Sequence, residues 1–416
     1  MRKMLLLAGS ALLIAAAPAR SPEQVAEAAL RAAPVWDGHN DVAEQLRDRR
    51  KDMLDGFDFA DTSKTGDAAK SLPAMQTDLA RLRAGHVGAQ FWSVYVDFRL
   101  PEPQAVQATL EQIDTVKRLV ARYPDQMQLA TSADEVEAAM RKGKVASLIG
   151  MEGGGSIGSS LGVLRQMHAL GARYLTLVHY KTIGWADSSN DDPKNEGLSP
   201  FGKDVVREMQ RIGMLIDLSH ASEGTMMDAL DVAKAPVIFS HSSARAVDGH
   251  PRNVPDAVLD RLKGNGGIVM VTAVDYFVGE DLRQWRALRA GEEARLKILH
   301  TGYPGRVKPA LDAWEEAHPA PKATLAQLAD HIDHLVKRIG IDHAGIGADF
   351  DGGGGIEGLA SVADYPALFA ELARRGYSQA DLEKLSSRNM LRVMRAAEAY
   401  ALAHRNDPPI ESPTTF

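Results

Sequence analysis

Residues 35–46, VWDGHNDVAEQL, decide how the rest of the chain is interpreted. An apolar pair, Val35 and Trp36, leads into His39 and Asp41, which lie two positions apart. Side chains at positions i and i+2 of a strand lie on one face, so an imidazole and a carboxylate could point at the same place. Such a pair is a weak signal on its own, so it predicts a site only if other strands end in matching residues.

Eight apolar, β-branched runs of strand length recur along the chain, and they are nearly continuous rather than alternating. This pattern is typical of strands in a parallel sheet that is covered on both faces. The predicted strands are 34–38, 88–96, 145–151, 173–178, 214–219, 236–240, 267–274 and 343–348.

Helix-patterned segments lie between these runs, at 105–122, 161–170, 203–212, 223–233, 255–263 and 324–339. Glycine commonly stops a helix, and the predicted stops are Gly171, Gly213, Gly264 and Gly340. Alternating strands and helices with eight strands favour an α/β fold, a (β/α)8 TIM-like barrel, over an open doubly wound sheet. Residues 275–322 carry charge runs and prolines, and they are predicted to be an insertion before the last helix and strand.

The N-terminal residues 1–19 have the pattern of a secretory signal peptide. Arg2 and Lys3 precede an apolar stretch, and Ala17-Pro18-Ala19 matches a cleavage site. We expect export to the periplasm or the medium with no stable membrane span after cleavage; an uncleaved anchor is the alternative. Residues 20–404 are then expected to form one domain and residues 405–416 a loose tail.

Composition excludes several classes of function for these 416 residues. The net charge of −7 and the lack of a basic block argue against a nucleic-acid partner. The chain has no cysteine, so it has no disulfide, and a metal must be bound by histidine, aspartate or glutamate.

Polar residues follow most of the predicted strands, at the point where each strand ends. In a barrel these ends meet at the C-terminal mouth, where active sites are built. Histidine, aspartate and glutamate are suitable ligands for zinc or a similar divalent ion, and five ligands with one bridging carboxylate suit two metals. The candidate residues are His39, Asp41, Glu152, His179, His220, His241, Asp349 and Asp351.

Two motifs point to other chemistries. GGSIG (154–158) matches a nucleophile elbow and would make Ser156 the nucleophile of a serine hydrolase. Glu152 already occupies that strand end, so this is the weaker interpretation. GLSPFGKD (197–204) is close to a phosphate-binding loop, but Asp204 stands where serine or threonine is needed, so no nucleotide site is predicted.

With these residues in view, the chain resembles the membrane (renal-type) dipeptidases, a zinc metallopeptidase family within the amidohydrolase-like barrels. The matching segments run in unbroken order over roughly residues 30–400, which makes the resemblance specific. They are DGHND, GAQFWSVYV, GMEGG, RYLTLVHY, IDLSH, FSHSSARAV, HPRNVPD and IGADFDG.

The resemblance implies a metal centre of two Zn²⁺ ions. His39 and Asp41 would bind one ion, and His220 and His241 would bind the other. Glu152 would bridge both ions, together with a water or hydroxide.

The resemblance also implies the activity, hydrolysis of the peptide bond of dipeptides, and a homodimer by family analogy. His179 would contact the substrate near the scissile carbonyl, Arg252 would hold the C-terminal carboxylate, and Asp349 would act as acid and base. Two alternatives stay open beside the serine hydrolase. One is a related metal-dependent amidohydrolase acting on N-acyl amino acids or β-lactams, and the other is an exported metal-binding protein without turnover.

Overall fold

A closed ring of eight parallel strands forms the centre of the structure, a computed structural model that describes residues 20–412. The ring closes because β2 pairs with β4 and β1 pairs with β9, while β3 lies outside it against the start of β4. The predicted barrel and its eight strands are confirmed, and β3 was not predicted. The strands are β1 (Val35–Asn40), β2 (Val87–Tyr95), β3 (Met127–Leu129), β4 (Val145–Glu152), β5 (Ala172–Thr176), β6 (Leu215–Asp217), β7 (Ile238–Phe239), β8 (Ile268–Val271) and β9 (Ala344–Ile346).

Helices surround the ring, and none of those in residues 20–412 is long and apolar enough to cross a bilayer. The predicted signal peptide lies outside the described residues. The helices are α1 (Pro22–Ala32), α2 (Val42–Arg50), α3 (Leu79–Ala84), α4 (Glu102–Arg122), α5 (Ala133–Arg141), α6 (Leu161–Ala169), α7 (Pro200–Ile212), α8 (Glu223–Val232), α9 (Asp256–Asn265), α10 (Asp275–Val278), α11 (Glu280–Leu299), α12 (Val307–Ala317), α13 (Leu325–Ile339), α14 (Tyr365–Arg374), α15 (Gln379–Glu383) and α16 (Asn389–Ala403).

The six predicted helices correspond to α4, α6, α7, α8, α9 and α13. Gly213 and Gly340 follow α7 and α13 with positive φ, as predicted. The stop predicted at Gly264 is wrong, because α9 runs through it to Asn265 and Gly266 follows the helix. Gly266 has a φ of 79°, and its N–H bonds back to the carbonyl of Leu262, which closes the last turn.

Successive strand residues alternate between two buried clusters, as expected for a barrel with a filled interior. One cluster packs against the helices, and the other contains Trp36, Phe91, Leu148 and Tyr174. Gly150 makes room for this inner packing, because a Cβ there would come within 2.0 Å of the Tyr174 ring.

The predicted insertion, residues 275–322, folds as α10, α11 and α12. Trp285 of α11 packs on Trp314 of α12, with ring centroids 6.0 Å apart. Tyr276 and Phe277 of α10 line the cavity at the mouth of the barrel, so the insertion contributes to the candidate site.

The C-terminal residues after α16 are attached rather than loose as far as they are described. The backbone N–H of Ile410 donates to Glu208 (3.2 Å), and its carbonyl accepts from Arg165 (3.2 Å). Ile410 therefore fastens this segment to α6 and α7.

Candidate metal centre and active-site cavity

The five predicted metal ligands converge at the C-terminal end of the barrel, and all are buried. Glu152, the last residue of β4, lies among the other four. Its Oε1 is 3.0 Å from Nε2 of His220 and 3.5 Å from Nε2 of His241. Its Oε2 is 3.3 Å from Nε2 of His39, which is also 3.3 Å from Oδ2 of Asp41. The two oxygens of one carboxylate therefore face two groups of donor atoms.

The donor set fits divalent cations. The Nε2 atoms of His220 and His241 lie 2.9 Å apart, close to the spacing of about 3.3 Å expected for two nitrogens on one tetrahedral zinc. Nε2 of His39 and Oδ1 of Asp41 are buried without a hydrogen-bond partner. Buried polar atoms normally have partners, so these atoms indicate a ligand for this centre.

The grouping of donors differs in part from the one that the resemblance implies. Donor atoms within 4.8 Å of one another form three sets: His39, Glu152 and His241; Glu152, His179 and His220; and His39, Asp41 and Asp349. The rings of His39 and His241 have centroids 3.8 Å apart. His241 thus lies beside both groups of donors, and Asp349 adjoins the His39 side.

A β-bulge shapes the end of β1. Asp37 and Asn40 pair with Gln90 and Trp92 of β2, so three steps along β1 match two along β2. Bulges of this kind redirect side chains and are common beside active sites. Asp41 immediately precedes α2, and its side chain makes no capping hydrogen bond to the helix, which leaves the carboxylate free to face His39.

The other polar residues of this stretch serve the backbone. Asp37 accepts from the N–H groups of His39 and Ala348 (both 3.2 Å) and from the hydroxyl of Tyr365. Burial raises the pKa of Asp37 to about 6 despite these bonds. Asn40 accepts from the N–H of Val42 (3.1 Å), so neither residue belongs to the donor set.

Residues that the sequence analysis missed orient two of the histidines. The hydroxyl of Tyr174 lies 2.8 Å from Nδ1 of His39. Ser240 lies 2.8 Å from Nδ1 of His241 and 2.6 Å from Asp217, whose other oxygen accepts from the N–H of Ser240. Such bonds at Nδ1 leave Nε2 free as a ligand. Asp217 could have been noticed in the sequence, because it is an aspartate within the otherwise apolar run MLIDLS (214–219).

Two site residues have a backbone conformation that non-glycine residues rarely adopt. His220 has a φ of 65° and Asp349 a φ of 64°, both in the left-handed region. Non-glycine residues in this region are uncommon and cluster at functional sites. Asp351 has a φ of 66°, but its carboxylate accepts from the N–H of Gln76 (2.8 Å) and ties down the loop instead.

The electrostatics of the centre favour bound cations. Burial and then Asp41 hold the pKa of Asp349 well above its usual range. Burial, Asp41 and Glu152 raise the pKa of Glu44, on α2, to about 9. Burial, followed by Arg252, holds the pKa of His220 well below its usual range, which keeps that imidazole neutral, as a metal ligand must be.

A cavity of about 140 Å³ opens beside the donor set. Its polar lining comes from both the metal ligands and other residues, and aromatic side chains, one valine and two glycines line the rest. The lining residues are Asp41, Glu44, Tyr95, Glu152, His179, Tyr180, His220, Arg252, Val274, Tyr276, Phe277, Asp349, Gly352 and Gly353.

Arg252 is the buried cation of this cavity, only 1% exposed. It donates to Oγ of Ser242 (3.3 Å) and to the carbonyl of His241 (3.2 Å), and its Nε has no partner. Among residues 20–412, no carboxylate lies within 4.0 Å of its guanidinium. A buried guanidinium without an acid is costly, so the cavity is suited to an anionic group.

His179 lies between the donor set and the aromatic lining. Its Nε2 is 3.5 Å from Oε1 of Glu152, and its ring packs on Tyr95 and Tyr180 with centroids 4.6 and 4.3 Å away. Burial lowers the pKa of His179 to about 4, so this imidazole is neutral near pH 7.

The two alternative motifs have structural roles rather than catalytic ones. Ser156 is buried, and its hydroxyl donates to the carbonyl of Gly153 (2.7 Å), which is not the geometry of an activated nucleophile. In GLSPFGKD, Ser199 caps the start of α7, and Gly202 packs against Trp185.

Comparisons with known proteins agree with this architecture. Residues 23–407 match the profile of a family described as membrane dipeptidase (peptidase family M19). The chain is 40% identical over 384 residues to dipeptidase tcpJ of Claviceps purpurea, covering 90% of this chain and 79% of that protein. The crystal structure of the probable dipeptidase PvdM from Pseudomonas aeruginosa superposes with a TM-score of 0.75 at 25% identity, covering 91% of this chain and 99% of that one. The crystal structure of dipeptidase AC, a metallopeptidase of family M19, superposes with a TM-score of 0.69 at 26% identity, covering 88% and 98%.

Proposed function

The chain belongs to the membrane dipeptidase family, peptidase family M19, and on this premise we propose that it hydrolyses dipeptides with two zinc ions held on either side of Glu152. It is a metallodipeptidase, since its relatives are dipeptidases and family M19 comprises metallopeptidases. The observation that carries the proposal is the position of the Glu152 carboxylate. Its oxygens face His39 on one side and His220 on the other, at 3.3 and 3.0 Å.

The ligands divide between two positions. His39 and Asp41 would hold one ion, and His220 and His241 would hold the other, with Glu152 shared. Two divalent ions bound there would polarise the scissile carbonyl and lower the pKa of a water molecule enough for attack near neutral pH.

Asp349 is positioned to move the proton. It lies with His39 and Asp41 in one group of donor atoms and also lines the cavity. We assign to it the removal of a proton from the attacking water and its delivery to the leaving amine.

His179 and Arg252 would position the substrate. The neutral imidazole of His179 can donate a hydrogen bond to the carbonyl oxygen as negative charge develops on it. Arg252 can bind the C-terminal carboxylate with two parallel hydrogen bonds. Because Arg252 would bind a free C-terminal carboxylate, the substrate would end one residue after the cleaved bond.

The proposed function is tested with a substrate panel on the purified protein. The panel contains L,L- and L,D-dipeptides, N-acyl amino acids and a β-lactam, each measured before chelation, after chelation and after return of Zn²⁺. We expect dipeptide hydrolysis that is abolished by chelation and restored by two zinc ions per chain. Turnover that survives chelation, or a preference for N-acyl amino acids or β-lactams, would contradict the proposal.

Domain organisation and export complete the proposal. Residues 1–19 would be removed as a signal peptide, residues 20–404 would form the catalytic domain, and the mature enzyme would be periplasmic or secreted, as a homodimer. Mass spectrometry of the protein from its native host should give an N-terminus at Arg20, and light scattering should give twice the chain mass. An intact N-terminus would overturn the proposed removal of residues 1–19, and the mass of a monomer would overturn the proposed homodimer.

A further inference from the structure

Glu44 is an acidic residue of the cavity to which the proposed chemistry gives no role. It lies on the first turn of α2, three positions after Asp41, so both side chains project from one face of the helix. Its carboxylate lines the cavity, and within residues 20–412 it has neither an ion pair nor a side-chain hydrogen bond. The basic residues Arg47 and Arg49 of the same helix are bonded elsewhere, to Asp52 and to Gln45.

The two ionisable side chains that lack a protein partner, Glu44 and Arg252, lie at different parts of the barrel mouth. Glu44 follows β1, whereas Arg252 follows β7, and β8 and β9 separate these strands on the shorter way around the ring. Both residues line the same small cavity, and Glu152 lies in that cavity as well. The cavity therefore contains a guanidinium and a carboxyl group that have no protein partner, together with Glu152. A cation bound beside Glu44 would offset the burial and the neighbouring carboxylates that raise its pKa, and so favour its ionised form.

This layout matches the charges of a free dipeptide. If Arg252 takes the carboxylate, the leaving residue points towards β7, and the acyl residue must lie on the other side of the cleaved bond. The α-ammonium of that residue is attached two bonds from the reacting carbonyl carbon, so it must stay near Asp349 and the metal centre. Glu44 follows β1, which neighbours β9, the strand that leads to Asp349.

Resting on the proposed function, we propose that Glu44 binds the free α-ammonium group of the substrate and thereby selects dipeptides over N-acyl amino acids. An N-acylated substrate brings no cation, so it leaves the half-buried Glu44 carboxyl group without a partner. Sites that leave a polar group unpaired reject such analogues strongly, whereas added apolar bulk is discriminated weakly.

The test compares two substrates in two proteins. L-Ala-L-Ala carries the α-ammonium, and propionyl-L-alanine is the same molecule without the amine. We expect the wild-type enzyme to prefer L-Ala-L-Ala in kcat/KM and Glu44→Gln to lose about 10- to 100-fold of that preference, mainly through KM. Hydrolysis of propionyl-L-alanine should be unchanged in Glu44→Gln. Glu111→Gln, an exposed glutamate that pairs with Arg47, is the matched control and should behave as wild type with both substrates.

Several outcomes would overturn the proposal. An equal fall with both substrates indicates a structural role, which thermal melting of the same samples would reveal as a lower Tm. A fall confined to L-Lys-L-Ala, relative to L-Leu-L-Ala, would assign Glu44 to a basic side chain instead. If the wild-type enzyme cleaves neither L-Ala-L-Ala nor propionyl-L-alanine, the proposed function itself fails. If it cleaves both substrates equally well, the proposed function can stand, but the role proposed for Glu44 fails.

Discussion

The hydroxyl of Ser240 lies 2.8 Å from Nδ1 of His241. The same hydroxyl lies 2.6 Å from a carboxylate oxygen of Asp217, which can only accept. A hydroxyl has one proton, so when it donates to Asp217 it must accept from Nδ1–H of His241. The lone pair of His241 is then on Nε2, which faces Glu152 and His220.

Asp217→Asn is predicted to weaken metal binding although Asp217 touches no metal. An amide at position 217 can donate to Ser240 and so reverse the direction of the hydrogen bonds. We expect about a 10- to 100-fold loss of zinc affinity, measured by competition with a chelating dye. Ser240→Ala should show a loss in the same direction. Asp204→Asn should show none, since Asp204 is a partly exposed aspartate of α7 that pairs with Arg207. Unchanged affinity in both buried variants would disprove this orienting role.

Arg252→Gln should act mainly on substrate binding. The variant removes the charge that receives the substrate carboxylate but leaves the metal ligands in place. A hydrogen bond to a charged group contributes about 1.5–3 kcal/mol, so KM should rise at least about 10-fold while kcat changes little. Dipeptide amides serve as the control, because they lack the carboxylate and should react equally with both proteins. A fall in kcat at unchanged KM would contradict the assignment.

Asp349→Asn should act mainly on the chemical step. Asparagine tolerates the left-handed backbone at this position, so the fold should survive the change. Loss of the proton carrier should lower kcat by about 10²- to 10⁴-fold with little effect on KM. Asp351→Asn is the matched control, since it lies in the same loop with the same kind of backbone but bonds to Gln76. Near wild-type turnover in Asp349→Asn would show that another group carries the proton.

Ser156→Ala should leave catalysis intact. The hydroxyl of Ser156 donates to the carbonyl of Gly153, so its removal should cost about 1 kcal/mol of folding stability. We expect kcat within about twofold of wild type, because no step of the hydrolysis uses this group. Wild-type enzyme should also resist fluorophosphonate inhibitors. Covalent labelling at Ser156 with loss of activity would revive the serine-hydrolase alternative.

The strand-end pattern of the sequence was sufficient to predict the barrel and the meeting of distant side chains. Parallel strands in a closed ring bring their C-terminal ends together, so residues as far apart as His39 and His241 could be paired without a structure. The short strand β3 escaped prediction because its three residues carry no periodic signal.

Local geometry was less predictable than the overall arrangement. Alternation along a strand predicted that His39 and Asp41 would meet, and they do. However, Asp41 lies outside the strand, and a bulge and the start of α2 bring the two side chains together. Nothing in the local pattern around Gly264 and Gly266 separates the two stop positions. Glu44 could have been found from its helical spacing to Asp41, but only once the helix start was known.

The central claim is that Glu152 bridges two metal ions, and anomalous diffraction from crystals of the zinc-loaded enzyme tests it most directly. We predict two zinc peaks on either side of the Glu152 carboxylate, one beside His39 and Asp41 and the other beside His220 and His241. A single peak, or peaks that do not contact Glu152, would contradict the account.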